Sequence, residues 1–470
     1  MRKPPMVYFK EISKIPRVSG NEKAVASYVE TFAKDRNYQV YRDALHNIIV
    51  YKPATIGFET NETIMIQGHL DMVGAKEEGC NHDFDLDPIR LVTLEGRLHA
   101  EGTTLGADDG VAVAYMLAIL DDPTLIHGPL ECVFTVQEEI GLIGAQALDM
   151  KKLAAKKMIN LDAGPESVFL TSCAGGCRIS LEHDVQRESC EKQGVKVVVK
   201  GLEGGASGMQ IQHERGNAIC ILGDMIKALA EDSIRLVHLC GGDKDNVIPD
   251  TAEMIFSVDS DILEKCQKVA DRLQRVGCIT DPKLSIEIEA VTVKEQLCLA
   301  DSESILSCLY ALPHGVMSYH SFFAGLPESS SNLAVVKIDE KASFKLSLRS
   351  SRDAVKEQLI EDISKIAQAA HFEMTVSGKY PGWAYEAQSE LREIAIQTFN
   401  DYYHRAPVVD AIHAGLECGV FKAAIPELDI LAMGPLYKEM HTPKEWLDIA
   451  SFERTYCFIT KLLENLCTQR

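Results

Sequence analysis

Apolar residues in the first third of the chain gather in short unbroken runs, and most of these runs end at a charged residue. Thr63-Ile64-Met65-Ile66-Gln67 leads into Gly68-His69-Leu70-Asp71, and Leu130-Glu131-Cys132-Val133-Phe134-Thr135-Val136-Gln137 leads into Glu138-Glu139. Met158-Ile159-Asn160-Leu161 stops at Asp162, while His46-Asn47-Ile48-Ile49-Val50-Tyr51 has no such ending. Runs of this length read as buried strands. Helical stretches lie between them, notably Gly110 to Leu120 and Ala24 to Asp35. Strands alternating with helices predict an α/β domain built on a mixed, mostly parallel sheet.

From about Ile179 to Ser377 the rhythm changes. The expected order is strand Gln193–Lys200, helix Gly216–Ala230, strands Ile234–Cys240 and Ala252–Asp259, helix Ile262–Val276 and strand Leu284–Val293. A second round follows, with helix Ser302–Leu312, strands Asn332–Ile338 and Ser343–Ser350, helix Arg352–Ala370 and strand Phe372–Val376. This predicts an α+β domain of two tandem split βαβ units of the ferredoxin-like kind. After Tyr380-Pro381-Gly382-Trp383 the α/β rhythm returns, with helix Ser389–Tyr402 and strand Leu428–Met433. The second domain, 179–377, is therefore expected to be inserted into a first made of 1–178 and 378–470.

Composition narrows the partners. The 470 residues carry 48 Lys+Arg against 69 Asp+Glu, a net charge of 48 − 69 = −21. That acidity argues against a nucleic-acid partner, which needs a basic stripe, and against an anionic membrane surface. No apolar run approaches the roughly 18–20 residues of a membrane span. Met1-Arg2-Lys3-Pro4-Pro5 has no apolar stretch behind it, so no secretory signal is expected. The 14 cysteines are scattered, several within apolar runs such as Ala218-Ile219-Cys220-Ile221-Leu222. A reduced, cytoplasmic chain is the expectation.

Open α/β sheets place ligands at the C-terminal edge of their strands. His69, Asp71, Glu138, Glu139 and Asp162 would meet there, with Asp108 and Asp109 at the start of the Gly110 helix. Carboxylates so crowded repel one another unless a cation lies among them. The donor types suit Zn²⁺ or a similar divalent ion, singly or as a pair. Two ions about 3.5–4 Å apart, bridged by a carboxylate and a water, make a hydrolytic centre. Each piece alone has a plainer reading. A His-x-Asp is an ordinary ion pair, Glu138-Glu139 a solvated helix start, and Asp108-Asp109-Gly110 an N-cap. Their order at successive strand ends carries the signal. Gly204-Gly205-Ala206-Ser207-Gly208 lacks the Gly-Lys-Ser/Thr of a phosphate loop and, with Met209 two places after Ser207, is no nucleophile elbow. Cys173 and Cys177 have no second cysteine pair at zinc spacing and read as ordinary thiols.

The chain resembles the Xaa-His dipeptidases of the di-zinc exopeptidase superfamily, from about Phe9 to its end. The landmarks are Gly68-His69-Leu70-Asp71-Met72-Val73, Gly102-Thr103-Thr104-Leu105-Gly106-Ala107-Asp108-Asp109-Gly110 and Glu138-Glu139. They continue with Cys173-Ala174-Gly175-Gly176, Asn246-Val247-Ile248-Pro249, Tyr380-Pro381-Gly382-Trp383, His413-Ala414-Gly415-Leu416-Glu417-Cys418-Gly419, Gly434-Pro435 and His441-Thr442-Pro443. The resemblance implies a zinc-exopeptidase-like catalytic domain with an inserted lid, two Zn²⁺ ions (Mn²⁺ or Co²⁺ being alternatives) and a small peptide substrate such as carnosine. It implies Asp108 as the bridge, His69 and Asp162 on one ion, and Glu139 and His441 on the other. Asp71 is implied to orient His69, and Glu138 to be the general base. A cis peptide is implied at Asp108-Asp109. Asn246, Arg349, His413 and Glu417 are the implied substrate contacts. Arg349 suits a carboxylate; Glu417 suits either the substrate's amino group or a buried structural role. One departure stands out. The family's lid motif is Gly-Gly-His-Ser-Gly, and Ala206 here occupies the histidine position, with His213 a conceivable substitute. Shifted specificity toward another dipeptide or an N-acyl amino acid, and a metal-binding scaffold without activity, are therefore the alternatives. Monomer and homodimer both remain open.

Overall fold

The computed structural model describes residues 3–229, 233–259 and 262–468, and its chain divides into two compact units. Met1, Arg2 and Ala230, which the expected N-terminal segment and the helix Gly216–Ala230 include, lie outside the described residues. The first unit comprises Met1–Cys173, Trp383–Ile412 and Leu416–Arg470; the second comprises Ala174–Gly382 and His413–Gly415. The 178/179 boundary expected from the sequence falls inside a continuous strand, Gly175–Asp184.

The first unit is built on an eight-stranded mixed sheet. Its order is Gln39–Arg42, Ile48–Lys52, Leu130–Thr135, Ile64–His69, Lys157–Asn160, Asp429–Ala432, Val168–Cys173 and Val408–Ile412. The four strands from Leu130–Thr135 to Asp429–Ala432 run parallel to one another. All six residues of both Ile64–His69 and Leu130–Thr135 are buried, as expected of parallel strands covered on both faces. Helix Ala107–Asp121 buries 13 of its 15 residues, which explains why it is apolar all round rather than amphipathic. The 20-residue helix Ile449–Thr468, which the run pattern did not single out, places Phe452, Tyr456, Ile459 and Leu463 in the same core. A separate four-stranded sheet joins Leu91–Leu94, Arg97–Ala100, Trp446–Asp448 and Tyr437–Lys438.

The second unit has its own core and its own nine-stranded, wholly antiparallel sheet. Ser285–Leu297, Arg187–Lys200, Ala252–Ser257 and Arg235–Gly241 form one half; Pro327–Ile338, Lys341–Ser350, Gly175–Asp184 and Glu373–Tyr380 form the other, with Gly315–Tyr319 beside Pro327–Ile338. Numbered along the chain, each half has the strand order of a split βαβ unit. The units are nested rather than tandem, however. The first strand of the second unit, Gly175–Asp184, precedes the entire first unit in sequence. A strand pairs by register with Leu346 and Val376, here through Ile179, and no local pattern reveals which later strands those are. No helix among the described residues is long and apolar enough to cross a membrane.

Candidate metal centre

Parallel register brings the charged strand ends together. Ile64–His69 pairs His69 with Thr135 on one side and Gln67 with Asn160 on the other, so the segments leading to Glu138, Glu139 and Asp162 emerge at one edge. Donor atoms of His69, Glu138 and Glu139 lie within 4.8 Å of one another, as do those of His69, Asp109 and Asp162, and those of Asp108, Glu139 and His441. Asp109 thus stands beside His69 and Asp162, a position the motif reading left outside the ligand set.

Asp108 occupies the middle. Its Oδ1 is 3.0 Å from His69 Nε2 and its Oδ2 is 3.3 Å from His441 Nε2, while His441 Nε2 is 3.0 Å from Glu139 Oε2. The Asp108-Asp109 peptide is cis. Behind His69, Asp71 is fully buried. Its Oδ1 lies 3.4 Å from His69 Nδ1 and accepts the Glu138 N–H at 3.0 Å. Its Oδ2 accepts the Glu139 N–H at 3.2 Å and the Ser19 hydroxyl at 2.8 Å. Burial alone would raise the Asp71 pKa, yet these donors and the His69 ring hold it below the usual carboxylate range.

Three neighbouring acids show the opposite shift. Burial first, and then the neighbouring carboxylates, push Glu138, Asp109 and Asp162 well above the ordinary range. Two observations test whether divalent ions fit. Glu139 Oε1 is buried with no hydrogen-bond partner among the described residues. The donors are two imidazole nitrogens and several carboxylates, each imidazole aimed at a different oxygen of one carboxylate, a set that suits Zn²⁺ or Mn²⁺. The residues fit a pair of ions.

Glu417 lies deeper. It is 1% exposed, its Oε2 accepts from Thr135 Oγ1 at 2.7 Å and from the Gln67 amide, and burial raises its pKa to about 7. Its other oxygen, Oε1, is buried with no hydrogen-bond partner among the described residues.

The other sequence candidates belong to the second unit. Ala206 pairs with Val247 in a two-residue ladder, and the Ser207 N–H donates to the Asn246 carbonyl at 2.9 Å, so the altered lid motif and the exposed Asn246 are neighbours. The Arg349 guanidinium lies against Gly208, where an added Cβ would come within 2.9 Å of Cζ, and its Nη1 donates to the Tyr380 hydroxyl at 3.3 Å. His413 Nε2 is 2.7 Å from Ser330 Oγ; burial and then Arg349 push the His413 pKa down to about 3. The ring is thus neutral beside a guanidinium whose buried Nε has no hydrogen-bond partner among the described residues. His213 is exposed at the end of the turn Ile211–His213. No disulfide joins any of the 14 cysteines, Cys173 and Cys177 included, among the described residues.

Sequence reasoning missed two residues that organise the centre, Arg17 and Glu445, each 2% exposed. Arg17 sits alone in Ile15-Pro16-Arg17-Val18 with nothing to mark it. Glu445 follows His441-Thr442-Pro443 by two places, and a carboxylate so close to a candidate histidine was a usable signal.

An α/β sheet whose parallel strands deliver a histidine and carboxylates to one edge, with a separate antiparallel unit inserted, is the architecture of a metallopeptidase. The chain belongs to peptidase family M20/M25/M40, whose family model matches residues 65–465. It is 32% identical over 467 residues to the cytosol non-specific dipeptidase of Escherichia coli K12, covering 97% of this chain and 96% of that one. The aminoacylhistidine dipeptidase structure from Vibrio alginolyticus superposes with a TM-score of 0.91 at 32% identity, covering 98% and 96% of the two chains. An aminopeptidase from Bacillus cereus shares the fold at 16% identity, TM-score 0.57, over 99% of both chains.

Proposed function

We propose that this chain is a cytoplasmic metallodipeptidase that cleaves short peptides, Xaa-His dipeptides such as carnosine among them, at a two-ion centre. The observation that carries the reading is Asp108, whose two oxygens each face a different histidine Nε2. In this reading Asp108 bridges, His69 and Asp162 complete one ion's ligands, and Glu139 and His441 the other's. Divalent ions bound there, zinc foremost, supply Lewis-acid polarisation of the scissile carbonyl and lower the pKa of the attacking water.

The chain's own residues do the rest. Asp71 holds His69 so that Nδ1 carries the proton and Nε2 is free to ligate, which fixes both tautomer and ring plane. Glu138, backed by the N–H that Asp71 accepts, receives the proton of the attacking water on its carboxylate and passes it to the departing amine nitrogen. A buried carboxyl with a raised pKa is suited to that two-way transfer. Arg349 carries planar donors of the kind that recognise a carboxylate. Asn246 carries a side-chain amide and His413 a neutral ring, both able to hydrogen-bond a small peptide.

The two relatives at 32% identity, a non-specific dipeptidase and an aminoacylhistidine dipeptidase, support the dipeptide class and differ on breadth. Ala206 favours a second reading, a shifted substrate range, because an alanine offers no side-chain donor. The test is amine release from carnosine and a dipeptide panel by metal-loaded protein, with bound metal counted in parallel. Turnover with two ions per chain is expected; two bound ions with no turnover on any dipeptide would refute the peptidase reading.

A further inference from the structure

Asp108 and His441 come from segments more than 300 residues apart in sequence, yet both grow out of the same small sheet. Arg97–Ala100 pairs with Trp446–Asp448, which pairs in turn with Tyr437–Lys438. The first strand runs on into the loop that ends at Asp108. The last two flank the loop 439–445 that carries His441. Glu445 lies where the two loops meet. Its Oε2 accepts the N–H groups of Leu105 at 2.8 Å and Gly106 at 2.9 Å, and its Oε1 accepts those of Ala107 at 2.8 Å and Asp108 at 3.4 Å. Its own N–H donates to the Thr442 carbonyl at 3.1 Å, closing the turn that follows His441.

Arg17 works from the other side. Its Nη1 donates to the carbonyls of Leu70 at 2.9 Å and Asp71 at 3.0 Å, and its Nη2 to Gly106 at 2.5 Å. The Gly106 peptide is therefore gripped at its oxygen by Arg17 and at its nitrogen by Glu445. Gly106 has φ +70°, and an added Cβ would lie 2.6 Å from Arg17 Nη2 and 2.7 Å from Met72 Sδ, so only glycine fits. Burying two opposite charges is costly unless they compensate each other and saturate their hydrogen bonds. Here Glu445 fills both oxygens with backbone donors and Arg17 gives three hydrogen bonds to carbonyls, at the back of the centre rather than inside it.

We propose that Glu445 is a positioning residue that docks the His441 loop onto the Asp108 loop and so sets the His441–Asp108 distance, with Arg17 tying that same loop to the end of the His69 strand. The inference rests on the two-ion reading above. A carboxylate that merely stabilised the loops would weaken folding without discriminating between the two ions. A register clamp must weaken the His441-side ion more than the other, because Asp108 serves both ions while His69 and Asp162 reach theirs through the main sheet.

The test is calorimetric titration of metal-stripped wild type and Glu445→Gln with Zn²⁺, with Co²⁺ absorption as the spectroscopic readout. The amide is nearly isosteric but turns a donor toward backbone donors. Two ions are expected in the wild type. The variant should keep one and bind the other about 10–100-fold more weakly, the usual range for groups that orient ligands, with an altered Co²⁺ spectrum. If Glu445→Gln is insoluble, Glu445→Asp keeps the charge but withdraws it by one methylene, and the same selective weakening is expected. Wild-type affinity at both sites in a soluble variant, or equal weakening of both, would overturn the proposal while the two-ion reading stands. Fewer than two ions in the wild type would overturn both.

Discussion

Replacing Asp71 by asparagine isolates one carboxylate that touches His69, Glu138 and Glu139 at once. The substituted side chain would have the same shape, but its amide can present only one acceptor oxygen. If the oxygen faces Glu138 N–H and His69 Nδ1, the NH₂ faces Glu139 N–H and Ser19. The Ser19 hydroxyl can turn and accept, since it rotates freely. The Glu139 N–H, now 3.2 Å from an acceptor, cannot turn and is left facing a donor. The loss is one charge-assisted bond, about 1.5–3 kcal/mol, and with it the anion beside His69 Nδ1. The unfolding free energy of the metal-free variant in urea should fall by that amount relative to wild type. The metal affinity of the His69 side should weaken about 10–100-fold, and turnover with it, because the neutral amide no longer raises the basicity of the ring, whose tautomer the Asp71 backbone carbonyl 3.2 Å from Nδ1 still holds. The assay pairs metal titration with dipeptide hydrolysis at pH 7. An Asp71→Asn protein with wild-type metal affinity and wild-type turnover would refute the orienting role.

Three further outcomes follow from the geometry. Glu138→Gln should lose about 10²–10⁴ in kcat while retaining two ions, since a base and not a ligand has been removed; loss of an ion in that variant would reassign Glu138 to the ligand set. Ala206→His should raise turnover on the preferred dipeptide by up to about 10²–10³, the worth of one added oxyanion donor, and unchanged turnover would mean that another group already fills the role. His127, 2% exposed and 2.6 Å through Nδ1 from the Gly128 carbonyl, has its pKa lowered by burial from 6.5 to about 4. The unfolded chain therefore binds one more proton than the folded one between those values. Stability is full above about pH 6.5 and falls as pH drops toward 4, by about 3 kcal/mol for this group. Urea unfolding at pH 5 and pH 7.5 should show a smaller pH penalty in His127→Gln than in wild type, and equal penalties would exclude His127 as the source.

Much of the centre was legible because several of its donor side chains sit where apolar runs end. A buried parallel strand must be apolar along its length, so the first charged residue after it marks the sheet edge, and His69, Glu138 and Asp162 each announce that edge locally. The apolar runs at 64, 130 and 158 likewise became three adjacent strands of the main sheet. The sequence alone thus determined the α/β class, the inserted second unit and the types of donor available. Only the tertiary structure decided which donors face which. Asp109 joins His69 and Asp162, and Glu417 is sealed behind Gln67 and Thr135. Gly175–Asp184 completes a unit whose other paired strands, Pro327–Ile338 onward, come more than 140 residues later. Arg17 and Glu445 meet at the Gly106 peptide from opposite ends of the chain. The reason is physical. Strand and helix formation follow from the spacing of neighbouring side chains, which the sequence displays, whereas pairing register and the burial of compensating charges depend on groups brought together only when the loops close.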